Sequence, residues 1–212
     1  MTKIVELLEQ LCPNGVKYLK LGELEDTGRI RLGRGNVISK QDIQNNPGHY
    51  PVYSSAATNN GMIGRYGKYM FDDERISWSI DGGGKFFYRN DEKYSITNVG
   101  GWLKVIDSGI STRYLYHVLS NAWSRKTFDY THKAHPSVIR DEYIVPIPPL
   151  PVQEEVVRIL DKFTLLEAEL EAELSARRKQ YEFYREQLLM FRLPASSQNA
   201  EAKAETDRQT VD

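Results

Sequence analysis

The sequence contains a single cysteine, Cys12. That excludes an internal disulfide framework and any zinc centre built from several thiolates. Long apolar runs are missing as well, since the uninterrupted stretches span only a few residues against the ~20 that a membrane-spanning helix needs. The opening Met1-Thr2-Lys3-Ile4 lacks a signal-peptide core, so the cytosol or nucleoid is the expected compartment. No Gly-x-Ser-x-Gly elbow occurs, and no Asn-Pro-Pro-aromatic motif of an amino-methyltransferase. There is also no glycine after Gln153: all fifteen glycines and all three tryptophans precede residue 124. Such a compositional break marks a change of architecture along the chain.

What is present describes a soluble protein of one domain, or one domain with an appendage: 212 residues, 40% apolar and 27% charged. The net charge of −1 conceals an uneven distribution. Residues 1–150 hold 19 basic against 16 acidic side chains, residues 151–212 hold 9 against 13, and the stretch 28–135 holds 15 against 9 with all four histidines. A basic middle suits a polyanionic partner, although a solvated face of a neutral protein carries the same excess.

The pattern predicts an α+β fold. Residues 2–11 place Ile4, Leu7, Leu8 and Leu11 at helical spacing, and Cys12-Pro13-Asn14-Gly15 ends that helix. Short β-prone runs then recur between turn signals, at 18–21, 50–53, 62–63, 76–80, 86–88 and 102–106. Residues 111–124 open with the capping Ser111 and read as a helix packed on this compact β-rich globule. Val145-Pro146-Ile147-Pro148-Pro149-Leu150-Pro151 follows. Its prolines remove backbone donors, so it is predicted to be a stiff spacer with no helix until the run ends. The predicted domains are therefore 1–150, a long helix over 151–192, and a tail over 193–212 whose low apolar content predicts disorder.

Along the long helix, Val156, Leu160, Phe163, Glu167, Leu170, Leu174, Arg177, Tyr181, Tyr184, Leu188 and Phe191 alternate gaps of four and three. A narrow stripe repeated in this way is a coiled-coil seam. At about 1.5 Å per residue the seam is roughly 54 Å long, more than a small domain can cover. A helix folding back over its own domain would show a broader stripe, so a partner helix is the preferred reading.

Candidate chemistry has to be weighed against simpler readings. Asp81-Gly82-Gly83-Gly84-Lys85 resembles a phosphate loop in composition, but Phe86-Phe87-Tyr88 follows where a P-loop requires Ser or Thr and a helix. It reads as a glycine-rich hairpin tip, which can still lie along a nucleic-acid backbone. His132 and His135 are too few for zinc, and Asp72-Asp73-Glu74 reads as a solvated turn. Neither a catalytic residue nor a metal site is expected. The segments 53–61 and 129–135 instead alternate aromatics, cations and amides able to meet bases and phosphates. Ordinary turn chemistry explains Asn60-Gly61 equally well.

Several segments, in order, resemble the DNA-specificity subunit of type I restriction-modification systems, in a half-length form with a single target-recognition domain. They are Leu11-Cys12-Pro13-Asn14-Gly15-Val16 with Leu21-Gly22-Glu23; Tyr50-Pro51-Val52-Tyr53-Ser54-Ser55 with Asn60-Gly61-Met62-Ile63-Gly64; and Ile76-Ser77. The exit is the most specific part: His135-Pro136-Ser137-Val138-Ile139, Ile147-Pro148-Pro149-Leu150-Pro151-Val152-Gln153-Glu154, Ile159-Leu160-Asp161-Lys162-Phe163 and Lys179-Gln180-Tyr181-Glu182.

The resemblance implies a non-catalytic protein of the prokaryotic cytoplasm, associated with the nucleoid, whose β-rich domain reads double-stranded DNA. The long helix would act as spacer and bind methyltransferase subunits. No cofactor is expected on this chain. S-adenosylmethionine would serve the methyltransferase that modifies adenine, and ATP and Mg²⁺ the restriction/translocase subunit. The usual family member carries two recognition domains and two antiparallel helices; this chain carries one of each, so two copies are expected to self-associate antiparallel and read a bipartite inverted repeat. Expected dimerisation residues are Val156, Leu160, Phe163, Leu170, Leu174, Tyr181, Tyr184 and Leu188. Expected DNA contacts, chosen by residue type and loop position, are Arg34, Ser55, Asn59, Asn60, Arg65, Lys85, Tyr130, His132 and Lys133. Two alternatives stand beside this reading: a DNA-silent truncated half-subunit serving assembly or as exchangeable sequence stock, and an independent nuclease.

Overall fold

The computed structural model orders the chain as α1 (Lys3–Leu11), β1 (Tyr18–Lys20), α2 (Leu21–Asp26), β2 (Ile30–Arg34), α3 (Lys40–Asn45), β3 (Tyr50–Tyr53), β4 (Met62–Tyr66), β5 (Arg75–Ser79), β6 (Phe86–Arg89), β7 (Ser95–Ile96), β8 (Gly100–Val105), α4 (Thr112–Trp123), α5 (Pro136–Glu142), β9 (Ile144–Pro146) and α6 (Leu150–Leu189). The structure describes residues 3–55, 59–90, 93–129 and 131–190. Two compact units result, Met1–Asp161 and Lys162–Asp212.

The first unit is built around an antiparallel sheet of order β2-β8-β5-β6. Its inner strand β5 is buried at every residue, and its alternation explains how the unit is layered. Ile76 and Trp78 point into the main core, with Leu21, Leu24, Leu103, Leu115, Leu119, Ile139 and Tyr143 from the neighbouring strand and from α2, α4, α5 and the α5–β9 junction. Each aliphatic or aromatic side chain so buried contributes roughly 1.5–3 kcal/mol. The alternate residues Arg75, Ser77 and Ser79 are buried too, and polar. The small sheet β4-β3-β7, with β3 and β7 parallel, supplies Tyr53 and Ile96 to a second cluster with Tyr94, Phe71 and Trp102.

The predicted helices at 2–11 and 111–124 are present as α1 and α4, and the Ser111 hydroxyl accepts from the Tyr114 amide at 3.2 Å. The proline-rich spacer requires correction. Ile144–Pro146 is a strand paired with β1, Val145 is completely buried, and α6 begins at Leu150 with Pro151 in its first turn. A proline missing its amide donor is tolerated at an edge strand and in a first helical turn, so this run is integrated into the fold rather than suspended between domains. The residues Leu150–Asp161 accordingly belong to the first unit, beyond the boundary expected at 150.

Gln153, fully buried, fastens this start of α6. Its Nε2 donates to Gly109 O (2.9 Å) and Pro148 O (2.7 Å), and its Oε1 accepts from the Ser111 amide (2.9 Å). Glu155 receives Arg158 at 2.7 Å and Lys3 at 3.2 Å. Nearby, Asp161 accepts from Arg113 Nε (2.9 Å) and pairs with His117 Nε2 (2.8 Å).

In the second unit the described residues continue α6 to Leu189. Phe163, Leu165, Leu166, Leu170, Leu174, Tyr181, Phe183, Tyr184 and Leu188 are all exposed. Of the expected dimerisation residues, Val156 is half-buried in the first unit, Leu160 is exposed there, and the other six are exposed in the second. Phe191 and the tail expected at 193–212 lie outside the described residues. Among the described residues no helix is long and apolar enough to cross a membrane.

Replacing Gln153 by Leu leaves the Ser111 amide and two carbonyls without their partner, and an expected loss of about 2–4 kcal/mol is measurable by denaturant unfolding. Glu155 generates a pH dependence. The Arg158 hydrogen bond draws its carboxyl down, burial opposes this, and Lys3 adds to the lowering, giving a value of about 2 against an ordinary 4.5. A depressed carboxyl contributes stability that is fully present above its ordinary value and is lost as pH falls through its folded value. The stability gap between the wild type and Glu155→Gln is therefore expected to close between pH 5 and pH 2. A constant gap in acid-unfolding curves contradicts this.

Candidate nucleic-acid interface

Strand register brings several chain turns to one end of the larger sheet. Arg34 closes β2 opposite Gly101, Ser79 closes β5 opposite Gly100, and Phe86 opens β6 opposite Trp78. The small sheet joins at the same place, because the Thr97 amide donates to Tyr53 O (2.8 Å) and the Thr97 hydroxyl to Ser54 Oγ (2.8 Å). Ser79 Oγ donates to Ser55 O at 3.4 Å. The glycine-rich tip then closes over Ser55: a Cβ on Gly82 would lie 2.3 Å from Ser55 O and 2.2 Å from Ser79 Oγ. Only glycine permits that approach.

The tip is held from the other side as well. Trp123 Nε1 donates to Gly83 O (2.6 Å), and Lys133 Nζ pairs with Asp81 (2.9 Å). Asp129 Oδ1 accepts from the amides of Thr131 and His132, both at 2.8 Å, and from the Thr131 hydroxyl. These bonds, led by that of the Thr131 hydroxyl, hold the Asp129 carboxyl below its ordinary range.

Of the expected contact residues, Arg34, Ser55, Lys85, His132 and Lys133 are thus gathered around the Gly82–Gly84 tip and the strand ends beside it. Arg34 donates through Nε and Nη2 to Asn98 O (3.1 and 2.7 Å). Lys85 is exposed, with its ammonium 5.6 Å from the Phe87 ring. His132 stacks on Phe128, 9° from parallel, and meets Glu142 at 2.7 Å. Glu142 also pairs with Lys126, which leads in lowering its carboxyl against burial. His132 and Lys133 are therefore already partnered by carboxylates, and a phosphate would have to compete for them. Among the described residues no group of three or more His, Cys, Asp or Glu is placed to hold a metal.

Asn59 and Asn60 form a tight turn leading into β4, both with positive φ (49° and 53°). Arg65 is not brought to the shared end. It lies on β4 opposite Pro51 and donates to His49 O (2.6 Å), two residues back from the Tyr53 end of β3. Tyr130 lies outside the described residues. Sequence reading missed Arg89, which is buried, donates to Ser77 Oγ (3.0 Å) and Asn60 O (2.7 Å), and lies 3.4 Å from the Tyr53 ring centroid. Its role left no signal in the order of residues, because Ile76-Ser77-Trp78-Ser79-Ile80 alternates as a strand with one solvated side does.

The sequence signature described as "Type I restriction modification DNA specificity domain" matches residues 13–177. The chain belongs to this family. Among its relatives, a Mycoplasma pneumoniae protein named as a type I specificity subunit is 40% identical over 85% of this chain and 49% of its own length. The type I restriction enzyme MpnII specificity subunit of the same organism is 36% identical over 76% of this chain and 50% of its own length. The chain thus spans about half the length of these two relatives. The type I restriction-modification S subunit from M. genitalium shares the fold, with a TM-score of 0.58 at 18% identity over 81% of this chain and 45% of the other.

The placement of this family member's cations makes a prediction for duplex binding. Lys85→Ala is expected to weaken binding alike for all sequences and to lower the slope of log affinity against log salt by about 1. Arg65→Ala, away from the shared end, is expected to leave that slope unchanged. Fluorescence anisotropy over a salt series reads both, and equal effects from the two variants contradict the placement.

Proposed function

We propose that the chain is a DNA-specificity subunit of a type I restriction-modification complex, itself without catalytic activity. The match over residues 13–177 carries this reading, because it spans the β-rich unit and most of the long helix. The gathered loops around Gly82–Gly84 read DNA, and chemistry belongs to partners: a methyltransferase subunit using S-adenosylmethionine, and a restriction/translocase subunit using ATP and Mg²⁺. The proposed location is the prokaryotic cytoplasm, at the nucleoid.

The exposed apolar stripe from Phe163 to Leu188 supports self-association. Its removal from water would repay roughly 25 cal/mol per Å² of apolar area, before the cost of association. Two antiparallel copies would form a coiled coil and a twofold-symmetric reader, so the recognised sequence would be a bipartite inverted repeat. In that pairing Glu167 of one copy approaches Arg177 of the other. Within one chain Arg177 already has Glu173 at 3.5 Å.

Sedimentation and a genome-wide map of methylated bases test the proposal together. The wild-type chain is expected to sediment as a dimer and to direct methylation at one inverted-repeat motif. The double variant Leu170→Glu, Leu174→Glu should be monomeric and lose that motif. An asymmetric motif would replace the homodimer with a pair of unlike half-subunits, and a map indifferent to deletion of the gene would favour the DNA-silent alternative.

A further inference from the structure

Asn59 and Asn60 hold left-handed backbone conformations in succession, which residues bearing a Cβ seldom adopt and which Asn tolerates best. Two such residues persist in a turn only when their surroundings fix them. The Ser54 amide closes the turn by donating to Gly61 O (2.8 Å), and Arg89 fixes it from the interior. Its guanidinium is clamped between the rings of Tyr53 and Phe87, with centroids at 3.4 and 4.8 Å, and is oriented by the Ser77 hydroxyl on β5. From there Nη2 reaches the Asn60 carbonyl at 2.7 Å. Asn60 itself is exposed, and its carboxamide makes no hydrogen bond to a described residue.

We infer that Asn60 reads a base edge, preferring adenine, and that Arg89 is the positioning residue that holds it ready. This rests on the DNA-reading role proposed above. An Asn carboxamide carries one donor and one acceptor side by side, matching N6 and N7 of adenine in the major groove. Such pairing discriminates only if the carboxamide is presented in one orientation, because a mobile turn would lose the geometric match. Arg89 holds the backbone from which the carboxamide projects, from inside the domain and without contacting DNA. Lysine cannot replace it, since a single ammonium lacks the planar fork that spans Ser77 and Asn60 between two rings.

The test is selection of bound duplexes from a random library by the full-length chain, followed by sequencing. Asn60→Gly keeps the left-handed turn and removes the carboxamide, so it should abolish the adenine preference at one position per half-site, by about tenfold to a hundredfold, with the rest of the motif intact. Asn60→Asp should shift that position toward cytosine, whose N4 donates to a carboxylate. Arg89→Lys should relax the same position while leaving the salt slope unchanged. Ser77→Ala, which removes only the hydroxyl orienting the guanidinium, serves if the lysine variant does not fold. An unaltered motif in Asn60→Gly overturns the inference, and uniform weakening of every position in the Arg89 or Ser77 variants overturns the positioning role. A wild-type chain that selects no motif would refute the DNA-reading role itself, a separate result.

Discussion

The strand Arg75–Ser79 has to satisfy two environments at once, and much of the first unit follows from how it does so. One side carries Ile76 and Trp78 into an apolar core, where helices α2, α4 and α5 are packed. The other side buries Arg75, Ser77 and Ser79, and buried polar groups without partners would cost about 1–3 kcal/mol each. Their partners are Asp73, two residues before the strand, for Arg75; Arg89, at the end of β6, for Ser77; and the Ser55 carbonyl, just past β3, for Ser79. Burial raises the Asp73 carboxyl, but Arg75 and Lys104 outweigh it and hold it below the ordinary range. Polar satisfaction of this strand thereby ties the segment after β3, through Ser55, to the candidate interface.

A comparable economy operates where the long helix begins. Gln153 uses its carboxamide to bond groups on the α4 cap, on the segment before that cap and on the proline-rich run, all within the first unit. The helix therefore starts from inside a core. Arg113 and His117 add a second fastening through Asp161, whose carboxyl burial would raise and which these two partners keep lowered.

Periodicity made the longer elements legible. Helices α1 and α4, strands β3, β5, β6 and β8 and the cap at Ser111 could be read from helical spacing or from short β-prone runs set between turn signals. The six-residue helices α2 and α3 could not be read so, since one and a half turns leave no repeat to detect. The proline run misled because its local signal is real while its pairing with β1 is remote in sequence. Loop residues around the glycines were legible as polar and basic, but their carboxylate partners were not: nothing in the order of residues shows that Lys133 meets Asp81 or that His132 meets Glu142. Arg89 was hidden for the opposite reason. A cation ending the run Phe86-Phe87-Tyr88 reads as a strand terminus facing water, and only the fold turns it inward.

The three tryptophans divide in a way that gives the protein an optical reporter. Trp78 is sealed in the core and supplies a constant background. The other two indoles donate to backbone carbonyls at the candidate interface, Trp102 to Arg34 and Trp123 to Gly83. Any ligand that shifts β2's end or the glycine tip must stretch or break one of these bonds and change the polarity around the ring. The unlabelled chain thus carries two chromophores wired to the surface where an encounter would be felt first.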